Sequence, residues 1–124
     1  MGDKKKLTIY EYSKCGTCRL AVKDLEQAGR ELERLPIREQ PPTADELAEL
    51  VKRSGLPLKK FFNTSGEVYK ELGLKDKLAG MSEREQLELL ASNGMLLKRP
   101  IVTDGSRATV GYKPDDYKAV WHHE

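Results

Sequence analysis

The residues best placed to do chemistry in this sequence are Cys15 and Cys18, in the run Cys15-Gly16-Thr17-Cys18. Thiols three positions apart at a helix start lie within one turn of each other. One can attack while the other resolves the product, which is the division that thiol–disulfide exchange requires. The first thiol meets free backbone N–H groups and the positive end of the helix macrodipole, and both favour a thiolate. Cys15 is therefore the expected nucleophile. Cys18, one turn further in on a buried stripe, is the expected resolving sulfur. Gly16 and Thr17 keep the turn small, and the Thr17 hydroxyl can donate to the thiolate or to a bound anion. Two other readings of the pair stay open. It could be half of a zinc site, for which His122 and His123 are the only histidines. It could also be two small buried residues with no chemistry.

Such a pair needs a strand before it and a helix after it, and the sequence supplies both. Leu7-Thr8-Ile9-Tyr10-Glu11-Tyr12 alternates β-branched and aromatic residues as a strand does. Cys18, Ala21, Val22, Leu25 and Ala28 form a helical stripe that stops at Gly29. A weaker strand is expected over residues 32–37, with Pro36 confining it to an edge or to its last residues. Residues 43–94 read as helical. Thr43-Ala44-Asp45-Glu46 and Ser82-Glu83-Arg84-Glu85 have the form of capping boxes, with Gly55 and Gly94 as the expected stops. Short helical pieces over residues 58–74 are broken at Asn63-Thr64-Ser65-Gly66 and at Gly73. The chain then returns to strand over residues 98–103 and 107–112, a hairpin carrying Asp104-Gly105 at its turn. Pro114 opens a last helix that buries Tyr117, Val120 and Trp121. The outline is β-α-β, a helical block, then β-β-α, an α/β fold whose mixed sheet has helices on both faces.

Composition bounds the function. The chain has 124 residues, 38% hydrophobic and 34% charged, enough for one domain with one solvated surface. Its 22 basic and 20 acidic side chains give a net charge of +2, against the one-sided basic excess of a direct nucleic-acid binder. No apolar run approaches the ~18 residues that span a bilayer, and Met1-Gly2-Asp3-Lys4-Lys5-Lys6 lacks the apolar core of a signal peptide. A cytoplasmic protein is expected, in which two cysteines are more often chemical than structural.

With its cysteine pair in this context, the chain resembles the arsenate reductase (ArsC) family, which includes the redox-regulated transcription factors Spx and MgsR. The resemblance runs over residues 7–121. It also rests on Arg19, on Gly55-Leu56-Pro57-Leu58-Lys59-Lys60-Phe61-Phe62-Asn63-Thr64, on Tyr69-Lys70-Glu71-Leu72-Gly73-Leu74, and on Lys98-Arg99-Pro100-Ile101-Val102. It implies a single domain over residues 1–124, with a thioredoxin-like core at about 7–40 and 95–121 and an all-helical insertion at about 43–94. It implies a cis proline at Pro100, lying against the redox motif and shaping the substrate groove. It further implies that Arg99 faces the nucleophilic cysteine, where a guanidinium can lower a thiol pKa and grip an oxyanion in bidentate fashion. An arginine can equally form an ordinary surface ion pair.

The departures bear on the subfamily. Arsenate-reducing members resembling the enteric enzyme carry Ser where this chain has Cys18, and they surround the anion with three arginines. The resemblance puts Lys59 and Lys113 at two of those positions, and lysine keeps the charge but loses the planar fork. Arg19 and Thr17 have supporting roles in the implied anion site. The chain thus resembles the Spx and MgsR side more closely, with a thiol–disulfide redox protein as the leading reading. Its reductant would be glutathione, glutaredoxin or thioredoxin, and no metal or organic cofactor is implied. The alternatives are a regulator binding the RNA polymerase α subunit and a glutathione-dependent arsenate reductase. Gly55 falls near a glycine that matters for polymerase contact in Spx, although the helix stop already assigned to it is the favoured reading. Lys59, Lys60, Lys75 and Lys77 could form a basic face of the helical insertion or only a solvated surface. A monomer is expected.

Overall fold

Lys6–Glu11 forms β1, the second strand of a four-stranded sheet in the order β2-β1-β3-β4. The computed structural model describes residues 6–122. The strand β2 (Glu31–Pro36) pairs parallel with β1, Leu7 opposite Leu32, after a crossover through helix α1 (Gly16–Gln27). It is an edge strand ending at Pro36, as a residue without a backbone N–H requires. The strands β3 (Ile101–Thr103) and β4 (Ala108–Val110) are antiparallel neighbours, and β3 also runs antiparallel to β1. Both are shorter than the sequence pattern predicts. Asp104 caps the loop between them by accepting the backbone N–H groups of Ser106 and Arg107 at 2.8 and 2.7 Å.

Between β2 and β3 the chain is helical: α2 (Ala44–Ser54), α3 (Glu67–Glu71), α4 (Leu74–Lys77) and α5 (Glu83–Ser92), with 3-10 turns at Leu58–Phe61, Leu78–Gly80 and Gly94–Leu96. Both expected capping boxes form, each hydroxyl accepting a backbone N–H at 3.1 Å. Gly55 ends α2 in the left-handed region at φ 69°, a conformation that favours glycine.

Gly94 has a different role from the expected helix stop. Helix α5 ends at Ser92 with Asn93 as its cap. A Cβ at Gly94 would stand 1.9 Å from the Ile37 carbonyl oxygen. The residue is needed because two backbones meet there.

The sheet buries both faces. Leu7, Ile9 and Val102 pack against Ala21, Val22 and Leu25 of α1, and against Tyr117 and Trp121 at helix α6 (Pro114–Val120). Tyr10, Ile101 and Ala108 pack on the other side against Leu47 and Leu50 of α2 and Leu87 and Leu90 of α5. The result is the thioredoxin-like α/β arrangement with a mixed sheet. Its C-terminal helix is tied down by buried polar bonds. Trp121 Nε1 donates to Thr109 Oγ1 at 3.0 Å, and the Tyr117 hydroxyl donates to the Gly111 carbonyl at 3.2 Å. No helix is long and apolar enough to cross a membrane among the described residues.

Candidate active site

Cys15 is the N-cap of α1, in extended backbone at φ −97° and ψ 116°. Its amide donates to the Tyr12 carbonyl at 3.0 Å, closing the turn after β1. Its Sγ accepts the backbone N–H of Cys18 at 3.4 Å, where a capping oxygen ordinarily sits. The first turn of α1 contains no acidic residue to oppose negative charge on that sulfur. Burial pushes the Cys15 thiol up. The Cys18 backbone N–H, the Cys18 thiol and the Arg99 guanidinium outweigh burial and hold Cys15 below the ordinary thiol value.

Cys18 is fully buried, and burial is the main reason its thiol is pushed up to about 12. The Tyr12 backbone works against that rise. The bond to Cys15 and the charge on Cys15 add to it. Both cysteines are free, so a partly accessible, acidified thiol has a protonated, sheltered one a single helical turn away.

Cys15 opens into a cleft of about 280 Å³, lined on one side by Thr17 and on the others by Asn63, Lys98, Arg99 and residues 110–113. The Arg99–Pro100 peptide bond is cis, and Pro100 is buried with its carbonyl accepting the Gly111 N–H at 2.8 Å. Arg99 is half-buried, its guanidinium carbon 5.2 Å from the centre of the Tyr12 ring. Its Nε and Nη1 are shielded from solvent and have no hydrogen-bond partner. Buried guanidinium donors without acceptors are costly, and an anion in the cleft would satisfy them.

The cleft is lined by four of the nine site residues expected from the sequence, and buried Cys18 and Pro100 are not in its lining. Thr17, Lys113 and Arg99 line it with Cys15. Lys59 does not. It sits on the 3-10 turn Leu58–Phe61 and lines a neighbouring cleft instead. Arg19 is also outside. It is exposed, and its Nη2 donates to the Ser13 carbonyl at 3.2 Å, bracing the loop before Cys15. Gly55 caps α2 and lines neither cleft. Arg107 is held by Asp104 and lies 5.4 Å over the Trp121 ring.

Sequence reasoning missed Asn63, Lys98 and Tyr112 as cleft residues. Asn63 and Lys98 stood inside the quoted motifs, with nothing local to mark them. His122 pairs with Asp24 at 2.6 Å, and His123 lies outside the described residues. Among the described residues no three His, Cys, Asp or Glu side chains gather as metal ligands.

Known proteins resemble this chain in sequence and in fold. The YusI protein of Bacillus subtilis (strain 168), itself uncharacterized, is 60% identical over 93% of this chain and 98% of its own length. The regulatory protein MgsR of the same organism is 29% identical over 90% of this chain and 87% of its own. A crystallised protein of Bacteroides fragilis, described as ArsC family related, matches with a TM-score of 0.88 at 45% identity over 94% of this chain and 98% of that one. The ArsC family model itself matches residues 10–120, from the β1 residue Tyr10 to Val120 at the end of α6. On its fold and on the length of that match, the chain belongs to the ArsC family.

Proposed function

We propose that this protein is a thiol–disulfide oxidoreductase in which Cys15 attacks and Cys18 resolves. The observation that carries the reading is the asymmetry of the pair: Cys15 is lowered and opens to a cleft, while Cys18 is raised and buried. The Cys15 thiolate attacks one sulfur of a substrate disulfide. The substrate S–S bond breaks, one substrate thiolate leaves, and a mixed disulfide forms on Cys15. That step removes the Cys15 charge, one of the causes that hold the Cys18 thiol up. Cys18 then loses its proton more readily and attacks the Cys15 sulfur. The second substrate thiolate leaves, and the protein holds a Cys15–Cys18 disulfide. The substrate has gained two electrons and the protein has lost two. A thiol reductant (glutathione, glutaredoxin or thioredoxin) returns them. Arg99 stabilises the attacking and leaving sulfur charges, with Lys113 and Thr17 at the rim.

The test is reduction of bis(2-hydroxyethyl) disulfide with glutathione, glutathione reductase and NADPH. Turnover is expected from the wild type and its loss from Cys15→Ser. Cys18→Ser should accumulate a mixed disulfide on Cys15, visible by mass spectrometry. Absence of turnover, or Cys18 as the first sulfur modified, would overturn the assignment.

The likeness to MgsR over most of both chains favours a second reading, a regulator whose disulfide state gates docking to the RNA polymerase α C-terminal domain. A pull-down with that domain, run oxidised and reduced, separates the two. Capture in only one redox state supports regulation. No capture in either state removes that reading.

A further inference from the structure

The catalytic cleft has a larger neighbour of about 560 Å³, built on the helical segment that follows α2. The wall between them is a short backbone ladder. Phe62 bridges to Leu97, the Asn63 N–H donates to the Leu96 carbonyl at 2.7 Å, and the Lys98 N–H donates to the Phe61 carbonyl at 2.8 Å. Alternation along this ladder sends Asn63 into the catalytic cleft and its neighbours Phe62 and Thr64 into the other. Lys98 lines both. The two clefts are therefore contiguous at one side chain.

The second cleft is cationic and partly aromatic. Lys59, Lys60, Lys75 and Lys98 line it, and no aspartate or glutamate does. None of the four forms an ion pair among the described residues. In a chain with 20 acidic side chains for 22 basic ones, that is a local segregation of charge. Beneath the lysines lie buried Phe62 and half-buried Tyr69, ring centroids 6.2 Å apart and packed edge to face. Such a floor accepts an apolar side chain between carboxylates.

We propose that this second cleft binds an acidic segment of the disulfide-bearing protein substrate. Its carboxylates lie on the four lysines while its cysteine crosses the Lys98 boundary to reach Cys15. The proposal rests on the redox reading above and deepens it by naming the substrate class. Charge of one sign around a cleft raises the encounter rate of an oppositely charged partner, and salt screens the effect.

The experiment uses two cysteine peptides of equal length, one flanked by Asp and Glu, the other by Asn and Gln. Each is presented as a mixed disulfide with 5-thio-2-nitrobenzoate. Cys15 attacks the peptide sulfur, the nitrothiobenzoate thiolate leaves, and Cys18 then displaces the peptide thiolate. Stopped-flow absorbance follows the first step. At low salt the acidic peptide should react faster by about tenfold or more, and the advantage should fade as salt rises. The Lys60→Gln, Lys75→Gln double variant should lose that preference while its reaction with bis(2-hydroxyethyl) disulfide stays unchanged. Equal rates for the two peptides would overturn the proposal. So would a preference undiminished in the double variant, which would assign the attraction to the cations of the catalytic cleft. If Cys15 fails to react even with bis(2-hydroxyethyl) disulfide, the redox reading falls and takes this one with it.

Discussion

Tyr112 and Asp24, 88 residues apart in sequence, are joined by a 2.7 Å hydrogen bond in which the tyrosine hydroxyl donates to Asp24 Oδ2. The bond ties a wall of the Cys15 cleft to α1, the helix whose first turn holds Cys18 and whose cap is Cys15. Tyr112 also stacks edge-on against buried Tyr117, ring centroids 4.7 Å apart, so its ring is held from two sides. The other carboxylate oxygen of Asp24 meets His122 at 2.6 Å.

The hydrogen bond to Asp24, then burial, then the Asp24 charge push the Tyr112 hydroxyl up to about 12. Asp24→Asn should return its titration toward the ordinary tyrosine range, read from phenolate absorbance with Tyr112→Phe identifying the band. Because the folded value is raised, the stabilisation is complete below the ordinary tyrosine value and disappears as pH rises through about 12. The stability contribution of that hydroxyl, read from Tyr112→Phe, should accordingly be flat across neutral pH and shrink in strong alkali. An unchanged Tyr112 titration would show that the bond does not form in solution.

The Cys15 thiol should ionise below the ordinary thiol value. Its burial is outweighed by the Cys18 bonds and by Arg99. Iodoacetamide alkylation of Cys15 against pH, resolved by peptide mass, measures this. Arg99→Leu should move the midpoint upward and slow alkylation at neutral pH several-fold. A depressed folded value means that the associated stability is present above the ordinary thiol value and is lost as pH falls through the folded one. A midpoint indifferent to Arg99→Leu would remove that residue from the thiolate's surroundings.

Arsenate turnover, assayed as arsenate-dependent NADPH oxidation with glutathione and glutaredoxin, should be absent or feeble. The Cys15 cleft offers an anion one guanidinium, from Arg99, with Lys98 and Lys113 also in its lining. Lysine provides a mobile point charge where arginine presents a fixed fork, and each charge-assisted bond forgone is worth about 1.5–3 kcal/mol. Lys113→Arg should strengthen any residual activity. Lys59→Arg should not, because that side chain lines the other cleft. Robust wild-type turnover abolished by Cys15→Ser would restore the arsenate reading.

Gly94→Ala should destabilise the protein by about 3 kcal/mol, measured by urea denaturation. The added methyl group would press on the Ile37 carbonyl, and its neighbours there are backbone atoms, with the Arg38 Cα at 3.2 Å. Gly16→Ala is the control, since a Cβ there meets nothing within 4 Å. Equal stability of the two variants would mean that the backbones do not meet at Gly94.

What the sequence by itself determined are the features that short-range physics governs. The Thr43 and Ser82 capping boxes close within four residues, Gly55 takes the left-handed conformation that few other residues adopt, and Pro114 occupies the first turn of its helix. The placement of Cys15 and Cys18 at a strand end and helix start belongs to the same class, but the asymmetry of the pair draws on Arg99 and on burial within the assembled fold. Tertiary structure decided the composition of the cleft. Lys59 and Asn63, four positions apart, line different clefts, where the chain between them pairs through Phe62 with the sequence-distant Leu97. Arg19 turns to Ser13, while Lys98 reaches both clefts. Gly94 looks in the sequence like a helix stop, but what requires it is the Ile37 backbone, from a segment distant in sequence. Such contacts depend on where separate elements come to rest against one another, and no local periodicity encodes that.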